Sequence, residues 1–234
     1  MATATTTRTK KHRSDPQKRR PPGRAGGTRL VVAAAIGGTF FLALLFAVFS
    51  GSGGDGPSAN ASGYAYAVGA PGPGEPAPPM RLASTSGGEF DLDDAEGERV
   101  LLYFQEGVMC QPCWDQLSDI ESRWGAFESL GIDRIVSITS DPLDVLRDKV
   151  ALEALETPLL SDPGVRVSAT YEANQYGMMG DSMNGHSFVV VGPSGEVEWR
   201  ADYGGAPNYT MYLPVDALLA DLSEGLSDPN GATE

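Results

Sequence analysis

Two cysteines, two histidines and only 17 lysine and arginine residues against 31 acids set the outer limits of this 234-residue chain. A structural zinc site usually needs four ligands, and the chain offers only Cys110, Cys113, His12 and His186, with His12 remote from the others. The scarcity of basic residues is sharper than the total suggests. Nine of the 17 fall in the first 29 positions, beside a single acid, Asp15. The rest of the chain therefore carries 8 basic and 30 acidic residues, a formal charge of 8 − 30 = −22. So acidic a body repels nucleic acid and anionic lipid surfaces, which excludes both as partners for it. No internal repeat is visible, and the composition is neither disordered throughout nor collagen-like.

What the chain does have is a twenty-residue stretch without charge, Leu30 to Phe49, "LVVAAAIGGTFFLALLFAVF". At about 1.5 Å of rise per residue it spans roughly 30 Å, the thickness of a bilayer core. The basic residues before it orient a membrane helix with its N-terminus in the cytoplasm and the acidic body outside. A cleaved export signal would share these features, and Arg19-Arg20 supplies a twin arginine. The apolar run is longer than a usual signal core, however, and "SGSGGDG" behind it offers no clear cleavage site, so an uncleaved single-pass anchor is expected. Residues 50–78 are rich in Gly, Ala, Pro and Ser and read as a flexible linker. A globular domain follows over 79–226, with a short disordered tail over 227–234.

Within that domain the hydrophobic periodicity predicts alternating strands and helices. A short strand or hairpin near Gly88–Leu92 precedes the apolar run Val100–Phe104, which reads as a buried strand. A helix is expected from Cys113 to Leu130, with Leu117, Ile120, Trp124 and Phe127 on one face. Arg134–Ser140 is the next buried strand, followed by a helix capped by Asp141 with Pro142 in its first turn. "TPLLSD" ends in a short strand, and "PGVRVSATYEA" reads as a shorter helix. "SFVVVGPSGEVEWRADY" predicts a hairpin, and an amphipathic helix beginning near Pro214 closes the domain. This order implies an α/β sandwich built on a central mixed sheet.

The two cysteines stand together in "GVMCQPCWDQLSDIE", at the mouth of the first helix. Unpaired backbone N–H groups and the positive end of the helix dipole favour thiolate at that position. Helical geometry brings the second sulfur within bonding distance of the first. Cys110 would attack a partner's disulfide and Cys113 would then resolve the mixed disulfide. A structural disulfide closing so small a loop would restrain the unfolded chain little. A reactive dithiol is therefore the expected role, with no cofactor.

The segments "GEPAPPMRLASTSGGEFDL", "ERVLLYFQEGVMCQPCWDQL", "ITSDPLDVLRDKV", "PLLSDPGVRVSATYE" and "HSFVVVGPSGEVEWR", in that order, resemble the thioredoxin-like redoxins of the AhpC/TSA and membrane-anchored thiol–disulfide oxidoreductase type. The resemblance covers about residues 76–225. It implies a thioredoxin-like α/β fold with an N-terminal β-hairpin extension, and Cys110 and Cys113 as the redox pair. The chain also departs from its relatives. Peroxiredoxins of this superfamily carry Pro seven and Thr or Ser three residues before the reactive Cys, where this chain has Tyr103 and Gly107. They carry an Arg just before the late strand, where Gly185, His186 and Ser187 stand. The thioredoxin branch places a cis-Pro there and a buried acid on the strand before the motif. Gly185 or His186 fills the first place, and Tyr103 stands near the second.

If His186 faces the cysteines it could accept a proton, its ordinary pKa lying near working pH; it could equally be a strand-end histidine bonded to backbone. Glu106 is a weaker candidate acceptor and reads as a solvated loop carboxylate. Trp114 reads as helix packing. Met178, Met179 and Met183 share a Gly-rich loop with His186, as cover for a surface where partners dock or as soft metal ligands. Asn60 and Asn208 begin glycosylation sequons, a weak signal.

The expected function is thus a membrane-tethered, extracytoplasmic thiol–disulfide oxidoreductase. It would act on cysteines of exported proteins and be regenerated by a membrane thiol donor or acceptor. Two alternatives remain open: a peroxiredoxin-like thiol peroxidase, and a copper-binding chaperone using Cys110, Cys113 and His186.

Overall fold

A computed structural model describes residues 60–227. The proposed membrane anchor at 30–49, the basic tail before it and the start of the linker lie outside the described residues. Among the described residues no helix is long and apolar enough to cross a membrane.

Seven strands form one mixed sheet: β1 (Arg81–Ser84), β2 (Glu89–Asp91), β3 (Val100–Phe104), β4 (Arg134–Thr139), β5 (Leu159–Ser161), β6 (Ser187–Val191) and β7 (Val197–Asp202). Their spatial order is β2-β1-β5-β4-β3-β6-β7. The centre pairs β3 parallel to β4 and antiparallel to β6. Every residue of β3 is buried, as its unbroken apolar run requires of a strand covered on both faces. One face carries Leu101, Tyr103, Phe188 and Val190 and packs against four helices: α1 (Gln111–Ser122), α2 (Trp124–Ser129), α3 (Leu143–Glu153) and α4 (Val215–Ser227). The other face carries Leu102, Phe104 and Val189 and is covered by Met80, Leu92 and Tyr171, the last from a 3-10 turn. This is the expected thioredoxin-like arrangement, with β1 and β2 as the hairpin.

Several expectations need correction. The helix expected over 113–130 is two helices, because Arg123 leaves helical geometry at φ −116°, ψ 19°. The change of direction lets Trp124 stack on Phe127, and Phe127 alone of the two is fully buried. The helix expected in "PGVRVSATYEA" is instead two 3-10 turns, Ser168–Tyr171 and Ala173–Gln175.

Residues 60–78 do not behave as a flexible linker. Ala67 and Asp202 exchange backbone hydrogen bonds at 3.0 and 2.9 Å, and Gly74, Glu75 and Ala77 bond to Val197 and Gly195. The segment thereby covers the outer edge of β7, whose unpaired backbone groups would otherwise face solvent. The buried Arg200–Asp202 ion pair secures it: Asp202 Oδ2 accepts the Gly69 N–H at 2.8 Å, and Arg200 donates to the Pro71 carbonyl at 3.3 Å. At the other terminus α4 includes Ser227, one residue into the expected tail, and 228–234 lie outside the described residues.

Candidate active site

The register of the central strands assembles the site. Phe104, the last residue of β3, pairs with Ser187, the first of β6, so the loop after β3 emerges beside His186. That loop, Gln105 to Met109, delivers Cys110 to the start of α1. Cys110 is the N-cap residue, and Pro112 sits in the first turn, where its missing N–H costs no hydrogen bond. Cys110 and Cys113 are joined as a disulfide with their Cα atoms 5.4 Å apart. Cys113 is wholly buried while Cys110 retains 7% exposure, so the outer sulfur is the one a partner meets first.

The loop and the cysteines it delivers are enclosed from three directions. The Trp114 indole donates to the Gly107 carbonyl at 2.9 Å, confirming Trp114 as a packing residue. Asp141 was expected to cap α3, but its side chain makes no cap there; Pro142 is the N-cap residue. Asp141 Oδ2 instead accepts the Val108 N–H at 2.9 Å and the Thr139 hydroxyl at 3.0 Å. On the third side, Gln116 accepts the Leu213 N–H at 2.7 Å and fixes the loop after β7, so that Met211 packs against both cysteines.

Gly107 is required by this arrangement. Its φ is +89°, and a Cβ there would lie 1.8 Å from Asp141 Oδ2. No side chain, and so no hydroxyl, fits three residues before Cys110.

His186 is fully buried among aromatic rings, with centroids 5.2 Å from Tyr103, 5.3 Å from Phe188 and 6.4 Å from Tyr203. Burial drives its pKa down to about 3, and the nearby Met211 backbone, outside hydrogen-bonding geometry, opposes this only weakly. The ring is neutral at working pH and a weak base. It is also not the backbone-bonded strand-end side chain of the other expectation, since neither ring nitrogen has a hydrogen-bond partner among the described residues. The backbone of His186 is bonded, donating to Tyr176 and accepting from Tyr203 and Gly204. Gly185 before it lies so close to the Tyr176 carbonyl that a Cβ would fall 1.4 Å from that oxygen.

Tyr103 links the histidine to the dithiol. Its hydroxyl donates to the Cys113 carbonyl at 3.3 Å, and burial followed by the Glu106 charge raises its pKa well above the usual value. Glu106 is not a solvated loop carboxylate: it is 5% exposed, and Oε1 accepts the Met178 N–H at 2.8 Å. That bond draws the methionine loop to the site, where Met109, Met178 and Met179 are 85%, 55% and 57% exposed. Met211, Asp141 and Gln116 had no recognisable signal in the sequence, because each acts through a contact distant along the chain. Among the described residues no three His, Cys, Asp or Glu side chains converge as a metal site, and Cys110 and Cys113 are joined as a disulfide.

The family model for the AhpC/TSA family matches residues 73–200, more than half of the chain. The chain belongs to the AhpC/TSA family. Over 105 residues this AhpC/TSA chain is 29% identical to peroxiredoxin Bcp of Escherichia coli (strain K12), a match covering 45% of this chain and 64% of that protein. The same figures apply to the putative peroxiredoxin bcp of Shigella flexneri. The chain thus spans 64% of the length of these curated relatives. Peroxidoxin BcpB from Mycobacterium tuberculosis superposes with a TM-score of 0.54 at 20% identity, covering 65% of this chain and 97% of that one. The reduced 2-Cys peroxiredoxin of Plasmodium vivax gives 0.55 at 19%, covering 68% and 84%. At these identities the structures speak for the fold. Together the comparisons show the family and the fold, and the relatives they find are named as peroxiredoxins, the alternative to disulfide exchange.

Proposed function

We propose that the chain is a thiol–disulfide oxidoreductase acting through Cys110 and Cys113 on cysteines of other proteins. The observation that carries this reading is the Gly107–Asp141 contact. It leaves no room for a hydroxyl beside Cys110 to orient a peroxide, while the pair itself needs only an approaching sulfur. The Cys110 thiolate attacks a partner disulfide, forming a mixed disulfide and releasing one partner thiolate, which takes up a proton. The Cys113 thiolate then attacks Cys110, forming the Cys110–Cys113 disulfide and releasing the second partner thiol. The partner gains two electrons and two protons, and the reverse sequence oxidises a dithiol. Glu106 is the buried carboxylate nearest in sequence to Cys110 and is the group we assign to proton exchange. His186, as a weak base, serves instead to wall Tyr103 against the pair.

The apolar stretch at 30–49 supports tethering to a membrane with the domain outside, where exported proteins and a membrane thiol donor would be its partners. A second reading, hydroperoxide as the oxidant of Cys110, is supported by family membership and by relatives named as peroxiredoxins. Insulin reduction driven by dithiothreitol tests the first reading. The wild type should turn over, Cys110→Ser should be inactive, and Cys113→Ser should accumulate a mixed disulfide with the partner. Absence of turnover by the wild type, alongside rapid peroxide consumption, would replace the first reading with the second.

A further inference from the structure

Gln111, the first of the two residues between the cysteines, is gripped by charges from a neighbouring helix. Lys149 of α3 donates to Gln111 Oε1 at 3.0 Å and lies 5.2 Å above the Trp114 ring. It also pairs with Glu153 one turn on. Gln111 in turn donates to Asp115 at 3.0 Å and reaches Glu153 at 3.5 Å. Among the described residues Lys149 is the only basic side chain with a hydrogen bond or ring contact to residues 105–116. The other charged or titratable groups facing this region are the neutral Tyr103 on β3, Glu106 in the loop after β3, Asp115 on α1, Asp141 before α3, Glu153 on α3 and His186 beside β6. Four of these are acids and His186 is neutral.

We propose that Lys149 and Glu153 form an opposed pair that sets the reduction potential of the Cys110–Cys113 disulfide. Resting on the dithiol reading above, the inference concerns tuning rather than substrate. Lys149 is 15% exposed at its side chain, so its field is only partly screened. A cation at the start of α1 adds to the helix dipole and stabilises the Cys110 thiolate. Stabilising the reduced form raises the potential, making the pair a better oxidant. Glu153, bound to the same ammonium and close to the same amide, subtracts from this effect. Both act on Cys110 through space and through the Gln111 amide, as positioning residues.

The opposition makes the inference testable by sign. The full-length chain is equilibrated with reduced and oxidised glutathione, and the fraction of Cys110–Cys113 disulfide is read by alkylation and mass. Thiolate absorbance against pH follows Cys110 independently. Lys149→Gln should make the disulfide three- to tenfold harder to reduce and move the thiolate titration upward, a tenfold change being about 30 mV for a two-electron couple. Glu153→Gln should shift both readouts the opposite way, and Lys149→Arg should stay near wild type. Glu153 is half-buried at the surface, so its variant reads out even if loss of the Lys149 contact with Trp114 weakens the fold. Unchanged potentials in both glutamine variants, or shifts of the same sign, would overturn the proposal. A wild-type pair that does not equilibrate with glutathione would instead overturn the dithiol reading beneath it.

Discussion

The Asp141 carboxylate accepts the Val108 N–H at 2.9 Å and stands where a side chain on Gly107 would have to be. One contact therefore fixes the loop that presents Cys110 and dictates which residue precedes it. Gly107→Thr, which would install the hydroxyl found in peroxiredoxins, should destabilise the fold by about 2 kcal/mol or more from the left-handed backbone and the clash together. Thermal unfolding measures the loss, and peroxide consumption should not rise. A stable, peroxide-active variant would show that the loop can open to receive the hydroxyl.

Buried and neutral, His186 makes the fold sensitive to acid. Its folded-state pKa of about 3 lies below the ordinary 6.5, so the unfolded chain takes up a proton that the folded chain refuses. The stability this represents is complete above about pH 6.5 and is lost as pH falls toward 3, at about 1.4 kcal/mol per unit. Chemical denaturation across that window should give a shallower pH slope for His186→Phe than for wild type. Equal slopes would mean that the histidine is not held neutral.

Those two residues also mark how far the sequence could be read. The apolar runs of β3, β4 and β6 announced the sheet centre, and the cysteine spacing beside Pro112 placed the pair at a helix start. An Asp before Pro142 reads as a helix cap, yet the Asp141 side chain turns instead to the half-buried Val108 amide of a loop 33 residues earlier. The Gly- and Pro-rich residues 60–78 read as coil since their partners, Val197 and Asp202, lie more than a hundred positions away. Met211 against the cysteines was equally invisible, being placed by a bond from Leu213 to Gln116.

The ordering of that N-terminal segment carries its own consequence. Asp202→Ala would leave the Arg200 guanidinium buried without its carboxylate and the Gly69 N–H without its acceptor. The expected cost is about 3–5 kcal/mol. Faster proteolysis within residues 60–78 should accompany the lower unfolding temperature. An unchanged cleavage pattern would show that the segment is held by its backbone bonds alone.

Protein disulfide and peroxide compete as oxidants of the reduced Cys110. Trp114, buried next to the pair, offers a fluorescence signal for its oxidation state, so the reduced full-length chain can be mixed rapidly with hydrogen peroxide or with a protein disulfide and the two rates compared. Oxidation by the protein disulfide should be fast and dependent on Cys110, and oxidation by peroxide no faster than for an ordinary thiolate. Peroxide oxidation that outpaces disulfide exchange would contradict the thiol–disulfide reading.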